Sequence, residues 1–199
     1  MKCLELFSGT KSFKKACPDD WEVISVDIDK KFNPDICCDI MDLDYKRWEV
    51  GEFDIIWLSP PCRFFSQARN CWVGRRTKFH DMAILTREMM KEDIDKYGLP
   101  PVMKGLEIVD YLKPTYWFME NPVGKLKNYI TDRHFIRVDY CKFGFDYKKP
   151  TMIWTNKTSL CDCKCDCKEK GKTHRKWDNV NGITTRYRIP TGLIKYLIS

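Results

Sequence analysis

A chain of 199 residues is long enough for one well-cored domain and short for two. Its 35 Lys and Arg against 28 Asp and Glu leave a formal charge of +7, which suits a polyanionic partner. No apolar run approaches the roughly 20 residues that span a bilayer, which argues against a membrane protein. Eleven cysteines would make a disulfide framework in a small secreted chain. Here Met1-Lys2-Cys3-Leu4-Glu5-Leu6-Phe7 reads as a strand and not as a signal peptide. The expectation is therefore an intracellular, reducing setting with free or metal-bound thiols.

Short apolar runs alternate with helical stretches, the pattern of a parallel sheet with flanking helices. Cys3–Phe7 is predicted as the first strand and Lys11–Cys17 as a helix stopped by Pro18. Glu22–Val26 is the second strand, closing on Asp27-Ile28-Asp29, and Asp35–Cys38 a short third ending at Asp39-Ile40. Asp54–Leu58 is the fourth. A charged connection, Arg63–Lys113, follows; its first part carries five arginines and lysines among aromatics and reads as a mobile loop up to His80. Ala83–Tyr97 reads as a helix broken at Gly98-Leu99-Pro100-Pro101, and Val102–Leu112 as a second helix with Val102, Leu106, Val109 and Leu112 on one stripe. Thr115–Met119 is the fifth strand, ending at Glu120-Asn121-Pro122. His134–Tyr140 and Pro150–Thr155 are predicted to pair as a hairpin.

The strand ends carry the chemistry. Ser59-Pro60-Pro61-Cys62 sets a thiol on a stiff turn at the carboxyl end of a buried strand, where open α/β sheets bind their ligands. A stiff, partly exposed thiol suits nucleophilic attack where its surroundings favour the thiolate. Phe7-Ser8-Gly9-Thr10 puts a glycine turn between the first strand and a helix. Asp27 lies about 20 residues on, where a carboxylate accepts from ribose hydroxyls. Asp39 can then reach an adenine amine, so the three ends favour an adenosine-type cofactor. Glu120 could lie beside Cys62, because both end strands of one sheet. A thiolate and a carboxylic acid act together on a flat, electron-poor ring: one adds to the ring, the other hydrogen-bonds a ring nitrogen.

In this order, Phe7-Ser8-Gly9, Asp27, Pro60-Pro61-Cys62 with Phe65-Ser66 behind it, and Glu120-Asn121-Pro122 resemble the cytosine-5 DNA methyltransferases over roughly residues 2 to 156, resuming at Tyr187–Leu197. Small viral and phage members are nearest in size. The resemblance implies a Rossmann-like S-adenosylmethionine-dependent methyltransferase sheet with flanking helices. Residues 1–199 would form one domain, with residues 157–182 as a small basic Cys-rich insert in place of a target-recognition domain. Cys62 is implied as the nucleophile on C6, with Glu120 and Asn121 binding the cytosine. Phe7, Ser8, Gly9, Thr10, Asp27, Ile28, Asp39, Ile40, Ser59 and Pro60 are implied around S-adenosylmethionine. A base inside a duplex is out of reach, so it must flip, with Arg63–Arg76 closing over it. Arg63, Ser66, Arg69, Arg75, Arg76, Lys148 and Lys149 are implied as contacts to the nucleic acid.

The chain departs from the family at Lys11, where a glycine is expected, at Met152, where an arginine is expected, and at Arg63, where a glutamine is expected. The implied protein is a monomer acting on DNA in the cytoplasm of a bacterium or infected host, with sequence specificity that is short or supplied by a partner. RNA as substrate leaves the same residues in place. Lys11 and Met152 favour a different alternative, a non-catalytic nucleic-acid-binding or regulatory protein. Finally, Cys161, Cys163, Cys165 and Cys167 with His174 are a candidate zinc set, although C-x-C-x-C-x-C is not the usual C-x-x-C knuckle.

Overall fold

The computed structural model describes residues 1–171, 173–175 and 187–199. The elements, in chain order, are β1 (Lys2–Leu6), α1 (Ser12–Ala16), β2 (Glu22–Asp27), β3 (Ile36–Cys37), β4 (Ile55–Leu58), α2 (Arg87–Asp93), α3 (Leu99–Leu112), β5 (Tyr116–Pro122), β6 (Phe135–Asp139), β7 (Pro150–Thr155) and α4 (Thr191–Ile198). The strands form one sheet in the order β3-β2-β1-β4-β5-β7-β6. β1 to β5 are parallel, and β7 and β6 close the far edge as an antiparallel hairpin. This is the α/β sheet with flanking helices expected from the alternation of strands and helices.

The sheet is covered on both faces, which is why its central strands are almost uniformly apolar. Alternate residues feed two cores. Leu4, Leu6, Ile56, Leu58, Met119 and Trp154 pack against Val102, Leu106 and Val109 of α3. Cys3, Ile55, Trp57, Phe118 and Ile153 pack against Phe13 of α1 and Leu193, Ile194 and Leu197 of α4. Phe13 and Trp57 stack with ring centroids 5.2 Å apart.

The connection after β4 differs from expectation in two places. Residues 63–85 are folded: turns at Gln67–Trp72 and Lys78–His80 and a bridge between Arg76 and Ile84 give them shape. The prolines do not break the helix. A π-turn at Ile94–Gly98, in which the Leu99 N–H donates to the Ile94 carbonyl, absorbs them, so Pro100 and Pro101 fall in the first turn of α3, where proline is tolerated. Gly98 lets the turn pack closely there: a Cβ would stand 3.0 Å from the Phe65 ring.

Helix α1 has no side-chain cap of its own. Glu5 of β1 supplies it from below: its carboxylate accepts from the N–H groups of Phe13 (3.0 Å) and Lys14 (3.2 Å). Burial raises the Glu5 carboxyl from its ordinary 4.5 to about 7, and the two backbone donors offset only part of that. The folded chain therefore holds this proton more tightly than the unfolded chain. That contribution to stability is complete below pH 4.5 and is lost as the pH rises through 7, to the extent of about 3 kcal/mol at most. Glu5→Gln removes it. Urea denaturation should give a wild-type advantage that is larger at pH 5 than at pH 8; an advantage independent of pH would contradict the assignment.

Candidate active site

The register of the parallel strands levels their carboxyl ends. Leu6 pairs with Val26 on one side and Leu58 on the other, and Leu58 pairs with Met119. The next residues are Phe7, Asp27, Ser59 and Glu120, and they share one edge of the sheet. A cavity of about 720 Å³ opens there, at the point where the chain order reverses between β1 and β4. Cys62 and Glu120 line it together with all ten residues implied around the cofactor. Lys149, Tyr97, Pro100 and Tyr187 are also part of its wall.

At one end the wall is built from strained backbone. Phe7, Gly9 and Lys11 all adopt left-handed φ (57°, 42° and 55°), which costs the two non-glycine residues about 1–2 kcal/mol each. Asp27 holds this turn: its carboxylate accepts from the N–H of Gly9 (2.7 Å) and of Asp29 (2.9 Å). Lys11 keeps the backbone shape a glycine would favour and turns its side chain out of the cavity, its Nζ donating to the Asn33 carbonyl. A lysine at this position therefore leaves the cavity open. Asp39 accepts from the Met41 N–H (2.9 Å) and starts the turn that seats Ile40, while Ile28 presents an exposed apolar side chain to the cavity. The Ser8 hydroxyl is buried without a partner in the same wall.

At the other end, three contacts fix Cys62. Asn121 Nδ2 donates to the Pro60 carbonyl (3.0 Å), and the Lys125 N–H donates to the Phe65 carbonyl (2.9 Å). Gly124 lies so close to that carbonyl that a Cβ would stand 2.3 Å from it. Asn121 thus differs from expectation. Successive strand residues face opposite ways, so Glu120 faces the cavity and Asn121 braces the turn that carries the thiol.

Glu120 is nearly buried and holds two partners that the sequence did not suggest for it. The Tyr140 hydroxyl donates to its Oε1 (2.8 Å), and Lys149 Nζ lies 3.6 Å from the same oxygen. Lys149 also sits over the Tyr140 ring, 4.6 Å from the centroid. Met152 is buried, so the positive charge beside Glu120 comes from Lys149, three residues earlier. Burial pushes the Cys62 thiol above its ordinary value, the Glu120 carboxylate adds to this, and Lys149 opposes it.

The expected nucleic-acid contacts divide. Arg63, Arg75 and Arg76 are exposed, with Arg63 over the rings of Phe64 and Phe79 at 5.0 and 4.9 Å. Ser66 caps the turn Gln67–Trp72, which lies between Arg63 and Arg75. Arg69 is engaged elsewhere: it pairs with the buried Asp93, which also meets His80 Nε2 at 2.9 Å, so it pins the loop to α2. Lys148 lies 3.8 Å from the buried Asp139, and Lys149 belongs to the cavity. The expected metal set also changes. Cys165, Cys167 and His174 gather with Cys141, while Cys161 is exposed and Cys163 packs against the core beside α4. Lys172 and residues 176–186, which include part of the basic insert, lie outside the described residues.

Removing Lys149 takes a cation from the thiolate and should raise the apparent pKa of Cys62; removing the Glu120 charge should lower it. Iodoacetamide labelling of Cys62 across pH, read by mass spectrometry of the Cys62 peptide, tests both signs. The labelling midpoint should move up in Lys149→Met and down in Glu120→Gln. Unmoved midpoints, or shifts of the opposite sign, would contradict the electrostatics.

No family model matches the chain. Among proteins of known description it is 35% identical over 222 aligned residues to a protein of Frog virus 3 (isolate Goorha) named a probable DNA (cytosine-5)-methyltransferase, covering 100% of this chain and 99% of the viral one. Among solved structures it resembles the methyltransferase EhMeth of Entamoeba histolytica (15% identity, TM-score 0.50, 78% of this chain and 52% of that one). The Dnmt2 methyltransferase of S. pombe is similar at 16% identity and TM-score 0.50, over 91% of this chain and 58% of that one. The chain spans only about half the length of those structures, and at such identities they speak for the methyltransferase fold alone. Identity of 35% sustained from end to end of both chains shows more: the protein belongs to the DNA (cytosine-5)-methyltransferase family.

Proposed function

We propose that this protein transfers a methyl group from S-adenosylmethionine to C5 of cytosine in DNA, through a covalent bond between Cys62 and the base. The observation that carries the reading is the meeting of Cys62 and Glu120 in one cavity with the ends of β1, β2 and β3. The cofactor end of that cavity fits an adenosine: two strand-end carboxylates (Asp27 and Asp39), an exposed isoleucine and an unpartnered buried hydroxyl on Ser8 line it. Bound there, S-adenosylmethionine supplies an electrophilic methyl group on a sulfonium centre.

The chain's residues do the rest. Cys62 attacks C6 as the thiolate and forms an Sγ–C6 bond. Glu120 holds N3 and the exocyclic amine, and stabilises the electron density pushed into the ring. C5 thereby becomes nucleophilic. After C5 is methylated, it loses its proton to solvent, the C5–C6 double bond re-forms and Cys62 leaves. Tyr140 and Lys149 are positioning residues: both come from the hairpin connection, and their contacts to one oxygen hold the Glu120 carboxylate in place in the cavity wall. Closing the cavity around a base requires that base to leave the helix, and Arg63, Arg75 and Arg76 are the exposed cations nearest the Cys62 turn in sequence that can hold the phosphates. Residues 157–182 are too few for a separate recognition domain, so target preference is short.

Transfer of labelled methyl groups to duplex DNA tests this. Cys62→Ala should abolish it, and Glu120→Gln should lower it by about 10²-fold or more. Arg75→Ala with Arg76→Ala should weaken DNA binding and flatten its salt dependence by about two phosphate contacts. Transfer to RNA but not to DNA would move the substrate, and wild-type transfer surviving in Cys62→Ala would overturn the mechanism.

A further inference from the structure

We propose that Cys141, Cys165, Cys167 and His174 form a structural zinc site that fastens the Cys-rich insert to the sheet. Cys141 lies in the turn Tyr140–Phe143, which leaves β6. The insert then runs along the outer edge of that strand. Cys163 bridges to Val138 in parallel, its N–H donating to the Arg137 carbonyl and its carbonyl accepting from the Asp139 N–H, both at 2.9 Å. This pairing spends Cys163 on the strand edge and leaves Cys161 in solvent. It carries Cys165 and Cys167, two and four residues on, over Cys141.

The resulting arrangement brings four ligand atoms to the spacing a tetrahedral metal needs. All four ligand atoms lie within 4.8 Å of one another, and Cys165 Sγ stands 3.5 Å from His174 Nε2. Tetrahedral zinc with Zn–S of about 2.3 Å and Zn–N of about 2.0 Å requires S···N edges of about 3.5 Å and S···S edges of about 3.8 Å. The surrounding hydrogen bonds also suit thiolates held on a metal. The Cys167 N–H donates to Cys165 Sγ at 3.4 Å, and the buried carboxylate of Asp139 accepts the Cys165 N–H at 2.8 Å. Three thiolates and one imidazole are a preferred zinc donor set, and Lys142 and Lys148 lie close enough to offset its charge: Lys142 pairs with Asp166, between the two insert cysteines, and Lys148 with Asp139.

The consequence reaches the cavity. Cys141 follows Tyr140 directly, and the Tyr140 hydroxyl holds Glu120. Anchoring Cys141 therefore fixes the turn from which Tyr140 reaches inward. The site also supplies the insert, which is rich in charge and poor in apolar residues, with the staple its own burial cannot provide.

Metal analysis of the full, tag-free chain, purified under reducing conditions from zinc-supplemented cells, is the direct test. The expected content is about one zinc per chain, lost in Cys141→Ser and Cys167→Ser but kept in Cys161→Ser. Cobalt(II) added to the chelated wild type should give the visible absorption of a tetrahedral thiolate site, a reading that needs no variant to fold. Absence of both zinc and a cobalt spectrum, whether the thiols titrate as free or as a disulfide, would overturn the proposal. So would a metal lost in Cys161→Ser and retained in Cys141→Ser, which would return the ligands to the C-x-C run alone.

Discussion

Strand β4 is four residues long and buried on both faces between β1 and β5, so it has no room to slip. A shift of one residue would turn Ile56 and Leu58 from the α3 core toward α1 and α4, and send Ile55 and Trp57 the other way. That register fixes Leu58 beside Met119, and with it the height at which β4 hands over to Pro60-Pro61-Cys62 and β5 to Glu120. The thiol and the carboxylate meet because this register sets the ends of β4 and β5 at the same height. The brace from Asn121 to the Pro60 carbonyl, and the close approach of Gly124 to Phe65, refine a placement that packing has already decided.

The same burial makes the site electrostatically demanding. Cys62 pays for its shelter with a thiol that resists ionisation, and the neighbouring Glu120 makes that worse. Lys149 is the group that answers both, lying within reach of the carboxylate and lowering the thiol. Met152 has gone into the core, and the cation beside Glu120 arrives from Lys149, immediately before β7. Lys11 works out in a similar way. The backbone keeps the left-handed turn, and the side chain leaves the cavity for Asn33.

The features legible in the sequence are those that depend on local order. The strands stood out as apolar runs, and their ends stood out because Gly9, Asp27, Asp39, Cys62 and Glu120 each follow one. Partners distant in sequence were invisible. By sequence Arg69 is one more loop cation, since nothing local marks Asp93 as its buried counter-ion 24 residues away. By sequence Lys149 reads as a phosphate contact and Tyr140 as the end of a strand; the hairpin folds both onto Glu120. The cluster of Cys141, Cys165, Cys167 and His174 shows the same limit. The C-x-C run was plain, but the strand pairing of Cys163 removes two of its cysteines and recruits Cys141 from a turn about 20 residues earlier. The π-turn before Pro100 could not be foreseen from residues whose usual effect is to end a helix.

The central claim, that Cys62 forms a bond to a cytosine brought out of its helix, is tested most directly by a covalent trap. Fluorine at C5 cannot leave as a proton does, so a duplex carrying 5-fluorocytosine should stall the reaction after methyl transfer with the protein still joined to the base. The account predicts a denaturation-resistant adduct that requires S-adenosylmethionine, maps to the Cys62 peptide and disappears in Cys62→Ala. An adduct at another residue, or none on DNA or RNA from a chain that binds S-adenosylmethionine, would contradict it.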